Sequence, residues 1–182
     1  MSLVLSYPWP STIALTMLLA SAAIVLLAAM HDVVSRTVPN WMSVAIAGFG
    51  VVAAFEQNRL LISTALGCVI FAAAAICWRR GWMGGADVKL LGAIAIVLPP
   101  GMVSIFMVAM SGAGAIHAAV YLLARRMVTP PPPLPAHEQR RRSLLLRALR
   151  AERWRISRGG PLPYACAIAF GFVFVLCNGG AP

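Results

Sequence analysis

The sequence predicts an all-α polytopic membrane protein of about six helical spans, with both termini outside. Two observations carry this. Hydrophobic residues make up 60% of the chain and charged residues only 11%, whereas a soluble domain carries roughly 25% charged residues. The basic residues, moreover, fall almost wholly into alternate gaps between apolar runs. So few charges cannot cover a water-facing surface, and lipid is the environment these side chains fit. One membrane-embedded domain, 1–182, with a basic cytosolic loop at 124–160, accounts for the chain.

A helical span needs about 20 apolar residues, with 17–25 common. The first expected span is Ile13–Met30. Ala20-Ser21-Ala22 resembles a signal-peptidase site, but residues 1–30 hold no Lys or Arg, so the segment reads as a retained span. Met42–Phe55, Leu60–Trp78, Met102–Leu123 and about Leu162–Cys177 follow the same pattern. The fourth segment, from near Asp87 to Leu98, is the odd one. Val88–Leu98 gives only about 16 Å of helix, so the helix either begins upstream near Trp82 or starts part-way into the membrane. Pro99-Pro100-Gly101 is expected to end it in a tight turn.

Arg36, then Arg79, Arg80 and Lys89, then ten arginines between 125 and 158 occupy one set of alternate gaps, and Arg59 alone occupies the other. The positive-inside rule places the larger set in the cytosol. Trp9, Trp41, Trp78 and Trp82 fall at expected span ends, where aromatic belts sit. This distribution suits membrane topology better than a nucleic-acid surface, and no nucleic acid is expected. In the loop, Pro130–Pro133 and Pro135 form a stiff spacer. Arg140, Arg141, Arg142, Arg147, Arg150, Arg153 and Arg155 then mix with Leu144, Leu145, Leu146, Leu149 and Trp154. That mixture reads as an amphipathic helix on anionic lipid, or else as a solvated helix that only fixes orientation.

Cys68, Cys77, Cys166 and Cys177 lie in apolar runs without metal-ligand spacing, so buried thiols are expected and no metal or cofactor. His31, His117 and His137 do not cluster; His31 adjoins Asp32 and could tune it. Ser111, Gly112 and Gly114 read as close helix packing. Of the five acidic residues, Glu138 and Glu152 are expected to be solvated partners of neighbouring arginines, and Glu56 lies in an outer gap.

That leaves Asp32 and Asp87, the only two aspartates. Both lie at the cytosolic side by the topology above, so a helix bundle could bring them together. Two close carboxylates hold one proton between them. Such a pair can draw a proton from an attacking water and donate one to a peptide carbonyl or leaving amine, without metal or nucleophile. Structural roles compete: Asp87 could cap the helix it opens, and Asp32 could pair with Arg36 one turn later.

The blocks around these residues resemble the type IV prepilin peptidase (leader peptidase) family. Asp32 with Val38-Pro39-Asn40-Trp41 is similar to the family's first block. Gly84-Gly85-Ala86-Asp87-Val88-Lys89-Leu90 is similar to its Gly-x-Gly-Asp block. The segment from Pro161-Leu162-Pro163-Tyr164 through Ala169-Phe170-Gly171 resembles its closing block. The resemblance implies a membrane aspartyl endopeptidase with Asp32 and Asp87 as the dyad. It makes Gly84, Gly85 and Ala86 the active-site turn, with Lys89, Pro39 and Asn40 as candidate supporting residues. It also implies a bacterial inner-membrane location and a prepilin-like substrate: a short basic leader, a cut after Gly, then an apolar helix. The chain is most similar to the short form, as in tight-adherence (Flp) pilus systems, which lacks a methyltransferase region, so cleavage without N-methylation is expected. Ala86 departs from the family's Gly, and Ala resists backbone angles that Gly permits, though it fits a helix without strain. A basic leader would not be drawn to basic loops, so the arginines are assigned to lipid. Two rival readings remain: a non-catalytic subunit or scaffold of a pilus or secretion assembly, and a small transporter. The latter lacks a mid-span charge or inverted repeat.

Overall fold

The computed structural model describes residues 11–131, 144–158 and 164–178. These residues form seven helices: α1 (Thr12–Ser35), α2 (Asn40–Glu56), α3 (Leu60–Arg79), α4 (Gly85–Val97), α5 (Pro100–Met127), α6 (Leu144–Arg158) and α7 (Tyr164–Asn178). Trp9, Pro132–Pro135, His137, Glu138, Arg140–Arg142 and Pro161–Pro163 lie outside the described residues.

All six expected apolar segments are helical among the described residues, and the chain is a membrane protein. Three helices, α1, α3 and α5, are long and apolar enough to cross a membrane, while α2 and α7 are shorter apolar helices. Trp41, Trp78 and Trp82 are exposed at or just beyond helix ends.

The short α4 is the centre of the bundle. It packs chiefly on α3 and α2, which touch each other little. Its residues are buried nearly all round, as the near-continuous apolar run from Leu90 requires. Glycines let the neighbours close on it. A methyl group at Gly50 would come within 2.8 Å of the Val97 nitrogen, and one at Gly67 within 3.1 Å of the Gly92 carbonyl. On the other side α1 packs on α2 and α7, and α5 packs on α7. Leu90, Leu91 and Ile94 meet Ile46, Phe106, Ile168 and Phe172 in the core.

Several sequence expectations change. The first helix runs on past Met30 to Ser35, and Asp32 lies in its last turn, at the end of the span as expected. The fourth helix begins at Gly85, close to the expected start near Asp87 and not at the alternative start near Trp82, and its 13 residues make about 20 Å. Pro99-Pro100-Gly101 is not a free turn. Pro100 opens α5 at once, because its missing N–H and fixed φ suit the first helical position. Of the two glycines at 112 and 114, Gly114 is a close contact, beneath the Tyr164 ring, and Gly112 faces open space. The thiols are not buried either: Cys68 and Cys177 are exposed and Cys77 and Cys166 half-buried, on apolar helices that lipid can cover.

Arg59 lies in the gap between α2 and α3, as expected, yet it is only 7% exposed. Its guanidinium bonds Ser63 Oγ (2.7 Å), Gln57 Oε1 (2.6 Å) and the carbonyls at the end of α4.

Candidate active site

Asp32 and Asp87 come from the C-terminal end of α1 and the N-terminal end of α4. α1 delivers Asp32 in its last turn. There Arg36 takes a left-handed conformation (φ 57°) and returns its amide to the Asp32 carbonyl at 2.8 Å. α4 delivers Asp87 in its first turn, only 9% exposed. The Asp32 charge acts on Asp87, so the two carboxyls share one electrostatic neighbourhood. The first turn of α7 lies beside both. The Ala165 amide donates to Asp32, Cys166 lies in the field of Asp32, and Tyr164 lies in the field of Asp87.

The Gly84-Gly85-Ala86 turn has a steric logic. Gly84 is the N-cap, and its amide donates back to the Asp87 carboxyl, the reach-back of a capping box. A methyl group at Gly84 would stand 2.9 Å from Asp87 Oδ2, and one at Gly85 would stand 3.2 Å from Trp78 Nε1. Ala86 is helical, so the departure from Gly carries no backbone strain there. Asp87 is therefore not the N-cap of the helix it was expected to open but its third residue, and the Gly84 amide orients one side of its carboxyl.

The supporting candidates separate into two groups. Pro39 starts α2 from the N-cap position. Lys89 Nζ donates to Asn40 Oδ1 at 2.7 Å, joining α4 to α2. That pair lines an open groove of about 490 Å³ between α2, α3 and α4, with Ala47, Phe71, Gly92 and Ala93. His31 does not tune Asp32. Its Nδ1 faces the Ser35 hydroxyl at 2.8 Å and the Thr37 carbonyl, closing the turn between α1 and α2.

A second cluster at the end of α1 was missed from the sequence. The Arg36 side chain does not hydrogen-bond the Asp32 carboxyl. Its Nη2 donates to Tyr121 on α5 (3.3 Å) and to Glu152 on α6. Glu152 also takes Arg155 Nη1 at 3.0 Å, and Arg155 donates on to the Val33 carbonyl at 3.3 Å. Glu152 is therefore not a solvated partner: its side chain is 17% exposed. Nor is Arg155 given over to lipid. Its signal in the sequence was a lone acid among arginines, which charge counting treats as noise. His117, edge-on to Tyr121, feels the same charges. Among the described residues no group of His, Cys, Asp and Glu could hold a metal ion.

The family model of the type IV leader peptidases matches residues 12–119. The chain belongs to the type IV leader peptidase family. The match spans both aspartates and the helices that carry them, and it ends before α6 and α7. The family is one of proteases. No curated protein and no solved structure matches the chain.

Proposed function

We propose that this leader peptidase is an aspartyl endopeptidase that removes the leader of prepilin-like precursors at the cytosolic face of a bacterial inner membrane. The observation that carries the reading is the shared neighbourhood of Asp32 and Asp87 beside the first turn of α7.

Two carboxyls so placed hold one proton between them. The ionised member takes a proton from a water as its oxygen attacks the scissile carbonyl carbon. The protonated member gives its proton to the carbonyl oxygen. The tetrahedral diol then collapses: one hydroxyl returns its proton to the carboxylate that had donated, the carboxyl that took the water proton gives it to the leaving amine, and the C–N bond breaks, which restores the starting state. Gly84 holds Asp87 in place through its amide and leaves room for the carboxyl. The Lys89–Asn40 bond supports the same end of α4 from α2. In the precursor, an apolar helix would remain among the spans while the basic leader stays cytosolic. Exposed Leu146, Leu149 and Trp154, interspersed with exposed Arg147 and Arg153, support contact of α6 with anionic lipid.

The test is co-expression with a precursor carrying a basic leader, a Gly and an apolar helix. Asp32→Asn and Asp87→Asn should each abolish leader removal while the protein still inserts. Full processing by both variants rejects the mechanism. Variants that change only assembly of a larger complex, with no cleavage by the parent protein, would favour the scaffold reading.

A further inference from the structure

Asp32 stands among charges that have another occupation. Arg36 and Arg155 both act on it, yet the side-chain hydrogen bonds of both go elsewhere. Glu152 explains this. One of its oxygens holds Arg36 and the other holds Arg155, and the three side chains are only 15–21% exposed. A partly buried carboxylate bridging two guanidiniums is held far more firmly than a surface pair. The bridge comes from α6, more than a hundred residues along the chain from α1.

The arginines would otherwise turn to Asp32. Arg36 Nε and Nη1 are buried and have no acceptor, and buried unsatisfied donors cost free energy that a nearby carboxylate can relieve. An Asp32 locked in a bidentate ion pair with Arg36 could not receive a proton from water. We infer that Glu152 is a positioning residue for Asp32: it occupies Arg36 and Arg155 and so keeps the Asp32 carboxyl free of a direct ion pair. The inference rests on the reading of Asp32 as one of the catalytic pair. It gives α6 a role at the site besides its exposed, lipid-suited face.

The purified full-length protein in detergent, supplied with a synthetic precursor of basic leader, Gly and apolar helix, provides the test. Glu152→Gln should lower kcat by about tenfold, the effect of one charge-assisted hydrogen bond formed in the resting state, and leave KM unchanged. Glu152→Asp should recover part of the loss. The deciding variant is the double one. Arg36→Met added to Glu152→Gln removes the arginine that would capture Asp32, so kcat should rise above that of Glu152→Gln alone. A merely structural bridge predicts the opposite, because the double variant strips a second docking residue from α6. A Glu152→Gln protein with normal kcat, or a double variant no faster than the single one, overturns the inference while the parent's cleavage upholds the protease reading. A parent protein that cuts no precursor removes that reading and this inference with it.

Discussion

The guanidinium of Arg59 donates to the Val97 carbonyl at 2.9 Å, and also to the carbonyls of Ile96 (3.3 Å) and Leu98 (3.1 Å). The last carbonyls of any helix lack intrahelical partners. Here the loss is deeper, because the residues that should serve Ala95 and Ile96 are Pro99 and Pro100, which have no N–H. In a membrane, water cannot fill the gap. One buried fork of donors ends α4 instead, and its cation also suits the negative end of the helix dipole. Arg59→Met should therefore lower stability by roughly 3 kcal/mol or more, since two or three buried carbonyls are left unmet. Arg59→Lys should recover only part, because an ammonium lacks the planar fork. Thermal unfolding in detergent, followed by tryptophan fluorescence, reads both; an unchanged Tm for Arg59→Met would contradict the cap.

The Lys89–Asn40 bond, at 2.7 Å and exposed, should be worth much less. A double-mutant cycle on Lys89→Ala and Asn40→Ala is expected to give a coupling of about 1 kcal/mol in stability. Precursor cleavage should fall only a few-fold in either single variant, well short of the loss expected for Asp32→Asn. Loss of cleavage as complete as that of Asp32→Asn would move Lys89 into the chemistry itself.

The contact of α7 with α5 is set by Gly171. A methyl group there would lie 2.9 Å from the Met110 nitrogen, and a backbone atom cannot swing aside as a side chain can. Gly171→Val should cost about 1–3 kcal/mol by overpacking. It should also lower cleavage, because the same helix presents the Ala165 amide to Asp32. Gly101→Ala is the control: it meets nothing within 4 Å and lies in the first turn of α5, so it should be neutral or slightly stabilising. Unfolding temperatures of the two variants should differ in that order.

Sequence alone made much of this molecule legible. Apolar runs placed the six apolar helices to within a few residues, because membrane helices must carry their hydrophobicity along the whole chain. Asp32 and Asp87 stood out because they are the only aspartates in a chain with few charges. What stayed hidden depends on distance between segments. Arg59 lies in the gap between two spans, as expected, but charge counting cannot see that the chain folds its side chain back under α4. Glu152 looked solvated because its partner Arg36 is 116 positions away. The prolines at 99 and 100 were read as a turn, when the chain uses the second of them to start a helix.

The turn before Asp87 gives a prediction in which stability and activity part company. The atom that a Gly84 methyl group would crowd is Asp87 Oδ2, at 2.9 Å. It is the free end of a side chain, so it can rotate away at little cost to folding. Rotation, however, takes the carboxyl from the Gly84 amide that orients it, and misplacing a reacting group by about 1 Å can cost on the order of 100-fold in rate. Gly84→Ala should thus keep its unfolding temperature within a few degrees while cleavage falls at least tenfold. Ala86→Gly should do the reverse. Ala86 is helical and needs no special backbone angle, so Gly there loosens the first turn by about 0.5–1 kcal/mol and leaves the cleavage rate nearly as it was. If Ala86→Gly instead speeds cleavage several-fold, the alanine restrains the turn in a way its helical conformation does not explain.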